Sequence, residues 1–121
     1  ITYTPEMVLG APRRGLKLTY CTDTRPTPAI AAAAANSDLF ICEGMYGEDE
    51  MLPKALENRH MLFSEAARLA ADAGGVRELW LTHYSPSLPN PKAYREVARA
   101  IFPNTFTPRD GWTKTLIFDE E

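Results

Sequence analysis

The stretch Leu39-Phe40-Ile41-Cys42 carries an apolar side chain at every position, and Leu79-Trp80-Leu81 repeats this pattern further along the chain. A strand with one wet face alternates apolar and polar residues, whereas a strand without a polar face is covered on both sides. Helices can cover one side of a sheet that contains these strands. The remaining strands are too few to build the other layer, so we expect the chain to form one half of a sandwich.

Helix and strand patterns alternate around these two segments. Strands are predicted at 16–22, 39–42 and 78–83, with shorter ones around Thr105 and at 115–118, and helices at 28–35, 46–56, 61–73 and 91–101. This alternation is typical of an α/β layer with substantial parallel pairing. We therefore predict an α/β fold in which a mixed sheet carries its helices on one face.

Local signals mark several boundaries in this pattern. Thr27-Pro28 combines an N-cap residue with proline at the first helical position, and Gly74-Gly75 is a helix stop. A turn is predicted at Arg109-Asp110-Gly111. Residues 1–15 contain two prolines and two glycines and show little periodicity. We expect a connector at 1–15 and the folded half-domain at 16–121.

Length and composition restrict the class of protein. A chain of 121 residues with a net charge of −3 is suited to one ordinary globular domain and not to histone-like binding of nucleic acid. Cys21 and Cys42 lie in apolar strands, which favours free thiols in a reducing cytoplasm over a disulfide. No signal peptide and no apolar run of membrane-spanning length is present, so no membrane partner is expected. The chain begins at Ile1 without an initiator methionine, and we expect a piece of a longer protein.

Chemically active side chains follow the predicted strands. Asp23 comes directly after the first strand, His83 ends the third, and His60 opens a helical pattern between them; the chain has no other histidine. A carboxylate and an imidazole that each close a strand are what a metal site at the edge of a sheet requires. Position alone also permits a turn residue at 23 and structural histidines at 60 and 83.

Four motifs occur in an informative order: TYCTDTRP at 19–26, SDLFICEGMYGE at 37–48, HMLFSEAARLA at 60–70 and LWLTHYSP at 79–86. Together they resemble the C-terminal half of ribonuclease Z, a metallo-β-lactamase-fold endonuclease that trims tRNA 3′ ends. The resemblance spans nearly the whole chain. It implies that the fold is the C-terminal half of a metallo-β-lactamase αββα sandwich.

The resemblance also implies roles for four residues. Asp23 occupies the position of an aspartate that bridges two zinc ions, and a bridging carboxylate reduces the repulsion between two cations. His83 occupies the position of a terminal ligand to one zinc. His60 occupies the position of a catalytic histidine that protonates the departing 3′ oxygen. Glu43, the one residue retained from the family's His-Glu-Ala-Thr motif, is expected to orient His60 by a hydrogen bond.

The principal metal motif of the resembled family, His-x-His-x-Asp-His, has no counterpart in these residues. The chain alone is therefore expected neither to hold the two zinc ions nor to act as a nuclease. The expected partners are precursor tRNA for the complete enzyme, and the missing N-terminal half or a second copy of the chain, as a homodimer, for the uncovered sheet face.

Two other functions agree with the same residues. A metallo-β-lactamase-fold phosphodiesterase or other hydrolase of a small molecule would use the same site, because loops set the choice of substrate. A non-catalytic α/β interaction module would carry Asp23 and the histidines incidentally. Arg25, next to the candidate ligand, is open to two interpretations: it contacts a phosphate, or it holds a turn.

Overall fold

A computed structural model describes residues 1–118 and confirms the α/β class. The strands are β1 (Leu18–Cys21), β2 (Leu39–Glu43), β3 (Leu79–Thr82) and β4 (Thr105–Phe106). The helices are α1 (Pro28–Ala34), α2 (Leu52–Asn58), α3 (Phe63–Ala73) and α4 (Arg95–Arg99), with 3-10 turns at Pro5–Met7, Asp49–Met51 and Pro91–Tyr94. None of the helices described is long and apolar enough to cross a membrane.

The sheet has the order β1-β2-β3-β4, and every neighbouring pair is parallel. The expectation of a mixed sheet is therefore wrong for the described residues. Each connection contains helical structure, which returns the chain to the starting edge so that the next strand runs in the same direction. The strand predicted at 115–118 is also wrong, since these residues pair with no strand.

The segment after β4 makes side-chain contacts in place of backbone pairing. The Trp112 ring meets Trp80 edge-on, with 5.9 Å between the ring centroids. Lys114 forms an ion pair with Glu78, and the Arg13 guanidinium lies 3.9 Å from the centroid of the Phe118 ring. The predicted turn is present, because the Trp112 N–H donates to the Arg109 carbonyl oxygen. These contacts hold the segment near the sheet without extending it.

Several helix boundaries differ from the predicted ones, and at the start of α3 the reason is that the backbone pairs with another segment. Helix α3 begins at Phe63, two residues later than expected, because Tyr46 and Leu62 form an isolated parallel bridge. The second predicted helix is shifted to the 3-10 turn at Asp49–Met51 and α2. The fourth is a 3-10 turn followed by the short α4. The Thr27 cap and the Gly74 stop are confirmed.

The two faces of the sheet have different environments. Register partners Phe40 and Leu79 are fully buried beneath the helices and form the core with residues of α3. On the opposite face the register partners Leu18 and Leu39 lie side by side, as do Tyr20 and Ile41. Leu18 and Tyr20 are 58% and 62% exposed. An apolar strip on β1 thus faces solvent, as the half-sandwich prediction requires.

Asp38, just before β2, joins the connector to the sheet. Its carboxylate accepts hydrogen bonds from the Lys17 N–H at 2.7 Å and from Arg14 at 2.8 Å, and Arg77 lies 3.7 Å away. The Lys17 hydrogen bond lowers the pKa of Asp38, and the Arg14 and Arg77 charges lower it further against the opposing effect of burial. The ionised form is therefore preferred in the folded state.

We predict that Asp38→Asn removes a pH-dependent part of the stability. A carboxyl with a lowered pKa binds fewer protons when folded, so its contribution is present above its unfolded pKa of about 3.9 and is lost as the pH falls further. The cost should be about 2 kcal/mol at pH 7, typical of a lost charged hydrogen bond. Urea unfolding at pH 7 and pH 3 measures it. The exposed carboxylate of Asp72 supplies the control, Asp72→Asn, and an equal loss at both pH values contradicts the prediction.

Candidate metal centre

The candidate ligands lie at one edge of the sheet because the strands that deliver them are parallel. Asp23 follows the C-terminal end of β1, Glu43 ends β2, and His83 follows β3. Carboxyl ends of parallel strands meet at a common edge, which is where α/β sheets hold their ligands. Asp23 and His83 were expected at the ends of neighbouring strands, and this detail is wrong, because β2 lies between β1 and β3.

Three side chains converge at this edge. The Oδ1 atom of Asp23 lies 3.8 Å from Nε2 of His83, and the rings of His60 and His83 are 5.5 Å apart between centroids. One ligand atom from each of the three residues lies within 4.8 Å of the others. A distance of 3.8 Å is too long for a hydrogen bond, but two donors about 2 Å from the same zinc ion can be nearly this far apart. The expected approach of Asp23, His83 and His60 is thus confirmed.

The backbone at two of these residues lies in the left-handed region. Asp23 has φ 57° and His83 has φ 59°. This region is unfavourable for residues with a Cβ, and strained positions persist where the surrounding structure enforces them, often at functional sites. Both residues lie just beyond the end of a strand, Asp23 after β1 and His83 after β3.

Glu43 holds the base of the site and is fully buried. Its carboxylate accepts the Thr24 N–H at 2.9 Å and the Met61 N–H at 3.2 Å, so it joins the loop of Asp23 to the loop of His60. Its Oε2 atom also lies 3.0 Å from Nδ1 of His60, which is the hydrogen bond predicted from the sequence. A carboxylate only accepts hydrogen bonds, so Nδ1 of His60 is the donor in this contact, which orients the ring.

Asp23 and His83 fit a zinc site chemically. Zinc in proteins is bound by carboxylate oxygen and imidazole nitrogen, which these two residues supply, and the His60 ring lies beside them. Asp23 and His83 are 63% and 41% exposed on the side chain, and His60 is 18% exposed. The site is therefore open to solvent, and its donors are too few to enclose two ions.

Sequence reasoning missed the part played by Arg25 and Glu65. Arg25 donates to both carboxylate oxygens of Glu65 and to the His60 carbonyl oxygen. The sequence signal was an arginine two residues after Asp23, and such an arginine can contact a phosphate as well as hold a turn. The spatial neighbour is forty positions away in the sequence and has no periodic relation to it.

Cys21 and Cys42 lie behind the site as free thiols, as predicted. They are direct register partners on β1 and β2. A hydrogen bond between them lowers the pKa of Cys21 and, together with burial, raises the pKa of Cys42. Neither sulfur belongs to the group of convergent ligands.

Among solved structures, the chain resembles the metallo-beta-lactamase fold protein YhfI from Bacillus subtilis. The TM-score is 0.67 at 26% sequence identity, over 78% of this chain and 38% of that chain. The fold and its edge site therefore define a part of a metallo-β-lactamase-fold protein.

Comparison of sequences finds relatives with higher identity to this chain. The chain is 60% identical over 119 residues to Ribonuclease Z of Lachnospira eligens and 58% identical over 118 residues to Ribonuclease Z of Lachnoclostridium phytofermentans, in each case over 98% of this chain. No protein-family model matches the chain. It spans 39% and 38% of the lengths of these two relatives. Over nearly its whole length, the chain is thus similar to a part of proteins named Ribonuclease Z, which is the resemblance that the motifs predicted.

We predict that the His83→Gly variant is more stable than the His83→Ala variant, although both substitutions remove the imidazole. Glycine adopts φ 59° without strain, whereas alanine retains the penalty of a Cβ, so the glycine variant should be more stable than the alanine variant by about 1 kcal/mol. Denaturant unfolding measures the difference. The matched pair Ser85→Gly and Ser85→Ala, outside the left-handed region, should show the reverse order, and the same order at both positions contradicts the explanation.

Proposed function

We propose that the chain is the C-terminal half of a zinc-dependent endoribonuclease that cleaves the 3′ trailer from precursor tRNA in the cytoplasm. The observation that carries the proposal is the convergence of Asp23, His60 and His83 at one sheet edge, with ligand atoms within 4.8 Å of one another. The 60% identity to a protein named Ribonuclease Z supports the substrate class. A reducing cytoplasm agrees with the two free thiols.

In this proposal Asp23 and His83 would be the residues of this chain that hold zinc. Both side chains are exposed at the mouth of the site, so ligands from another part of the protein can complete the coordination. The length of the relatives leaves room for such a part, since the chain spans about 39% of it. When bound, zinc lowers the pKa of a water ligand towards 7 and acts as a Lewis acid on the scissile phosphate.

His60 is proposed as the general acid. Cleavage forms a bond between the water oxygen and phosphorus, with one water proton released to solvent, and breaks the bond from phosphorus to the 3′ oxygen, so that the phosphate stays on the 5′ end of the trailer. Protonated His60 gives its Nε2 proton to that departing oxygen, which leaves a 3′-hydroxyl on the tRNA. Glu43, 3.0 Å from Nδ1, orients the ring and stabilises its positive charge.

The proposal predicts separate effects on turnover and on metal content. The test protein is a chimera in which this chain replaces the aligned segment of Ribonuclease Z from Lachnospira eligens. Loss of the general acid in His60→Ala should lower kcat on precursor tRNA by about 10²- to 10⁴-fold while zinc content changes little. Loss of a ligand in Asp23→Ala or His83→Ala should lower zinc content as well. Trailer release and elemental analysis provide the two measurements.

Controls separate these roles from general damage. Glu57→Gln changes an exposed residue of α2 and should leave both measurements at the level of the unmodified chimera. Equal zinc loss in His60→Ala and His83→Ala would make His60 a ligand. Hydrolysis of small phosphodiesters with no cleavage of precursor tRNA would favour the small-molecule hydrolase, and absence of both metal binding and hydrolysis would favour the interaction module.

We further propose that the open sheet face is covered in the functioning protein, by the part of the enzyme that this chain does not contain or by a second copy. The argument rests on Leu18 and Tyr20, which expose 58% and 62% of their surface, and on the exposed Trp112 ring, which packs against Trp80 of β3 on the same face of the sheet. Large contiguous apolar patches are uncommon on soluble monomers. Covering several hundred Å² contributes on the order of 10 kcal/mol before the costs of association.

The purified 121-residue chain should therefore form dimers at micromolar concentration. Light scattering measures its mass, and binding of a fluorescent hydrophobic dye reports apolar surface. Tyr20→Lys should shift the chain towards monomer because it places a charge in the proposed contact. Tyr3→Lys, at an exposed tyrosine of the N-terminal segment, is the matched control. A folded monomer of the unmodified chain that binds no dye would end the half-sandwich interpretation.

A further inference from the structure

Arg25 and Glu65 form a clamp between the two loops that carry the candidate site. The Arg25 guanidinium donates to Oε1 of Glu65 at 2.6 Å and to Oε2 at 2.5 Å. The same guanidinium donates to the His60 carbonyl oxygen at 2.7 Å. On the other side, Oε1 of Glu65 accepts the Leu62 N–H at 3.0 Å. The loop that follows β1 is thus fixed to both the loop of His60 and the start of α3.

This arrangement leaves the Arg25 guanidinium little capacity for a phosphate. Its charge is neutralised by a two-point contact with Glu65, and both side chains are mostly buried, at 26% and 20% exposure. Bidentate pairs of arginine and carboxylate are geometrically specific and strong relative to other hydrogen bonds. Of the two interpretations of Arg25 that the sequence left open, the contacts favour the one in which it holds the backbone.

The clamp acts on the residues of the site through short covalent paths. Asp23 is two positions before Arg25, and between them the Thr24 N–H is bound to Glu43. His60 is held at its carbonyl oxygen by Arg25 and at its ring by Glu43. Two sets of hydrogen bonds, those of Glu43 and those of Arg25, therefore hold the loop of Asp23 against the loop of His60.

We propose that Arg25 and Glu65 are a pair of positioning residues that set the separation of the metal ligand Asp23 from the general acid His60. The inference rests on the proposed function for the roles of those two residues. The clamp itself does not touch the reacting atoms. Its contribution is to keep the two loops in one arrangement, because a displacement of about 1 Å at a reacting group can cost about 10²-fold in rate.

The first test uses the 121-residue chain and needs no activity. Arg25→Gln and Glu65→Gln should each accelerate hydrogen exchange at the N–H groups of Thr24 and Met61 by about tenfold or more, since both groups report the docking of the loops on Glu43. The double variant should exchange no faster than either single variant, because the two residues act as one unit. Arg68→Gln, at an exposed arginine of α3, is the matched control and should leave exchange unchanged.

The second test measures kinetics in the chimera with Ribonuclease Z of Lachnospira eligens. A positioning pair predicts that Arg25→Gln and Glu65→Gln lower kcat by similar factors with little change in KM, and that Arg25→Lys recovers only part of the loss, because an ammonium group lacks the planar fork. A phosphate contact predicts a higher KM for Arg25→Gln alone, with Glu65→Gln neutral or improved. The latter pattern would overturn the proposal, as would unchanged exchange at Thr24 and Met61 in both single variants. An unmodified chimera that cleaves no tRNA would refute the proposed function, while the exchange rates would still decide whether the clamp exists.

Discussion

The carboxylate of Glu43 is the constraint on which the rest of the site depends. It is fully buried at the end of a central strand, where an unpartnered charge would be strongly destabilising. Three N–H groups, from the Thr24 and Met61 backbone and the His60 ring, compensate for the lost hydration. Because these donors come from two different loops, satisfying one charge also brings the loops together. The hydrogen bonds that stabilise the buried carboxylate therefore also fix the geometry of the site.

The parallel sheet explains why so few residues are enough to build this edge. Three consecutive strands each end with a chemically active residue or lead directly into one, and parallel pairing brings those ends to the same side. Asp23 and His83, both with left-handed backbone, come within 3.8 Å of each other although β2 lies between their strands. Conformational strain at both positions is the cost of the convergence, and the packing of the surrounding sheet and helices sustains it.

Hydrogen bonds and an ion pair support the sheet edge that carries the candidate site, whereas one face of the same sheet is incompletely covered. Around the site the described residues are tied by the Glu43 hydrogen bonds and by the ion pair of Arg25 with Glu65. On the open face, by contrast, Leu18 and Tyr20 of β1 remain largely exposed. A candidate metal site that is open to solvent and a sheet face that is only partly covered both agree with the proposal that a further part of the protein packs here. This agrees with a chain that spans about 39% of its relatives.

The sequence by itself determined the α/β class, the strands around residues 39–42 and 79–82 and most helix positions, because apolar periodicity and capping residues are local signals. It also identified Asp23, Glu43, His60 and His83 through motifs that stand at fixed places relative to strand ends, and the hydrogen bond of Glu43 to His60 was expected. Only the tertiary structure decided that the sheet is entirely parallel, that β2 separates β1 from β3, and that residues 115–118 pair with no strand. It alone revealed the clamp of Arg25 and Glu65, because a contact between residues forty positions apart depends on how two loops pack and leaves no periodic trace in the sequence.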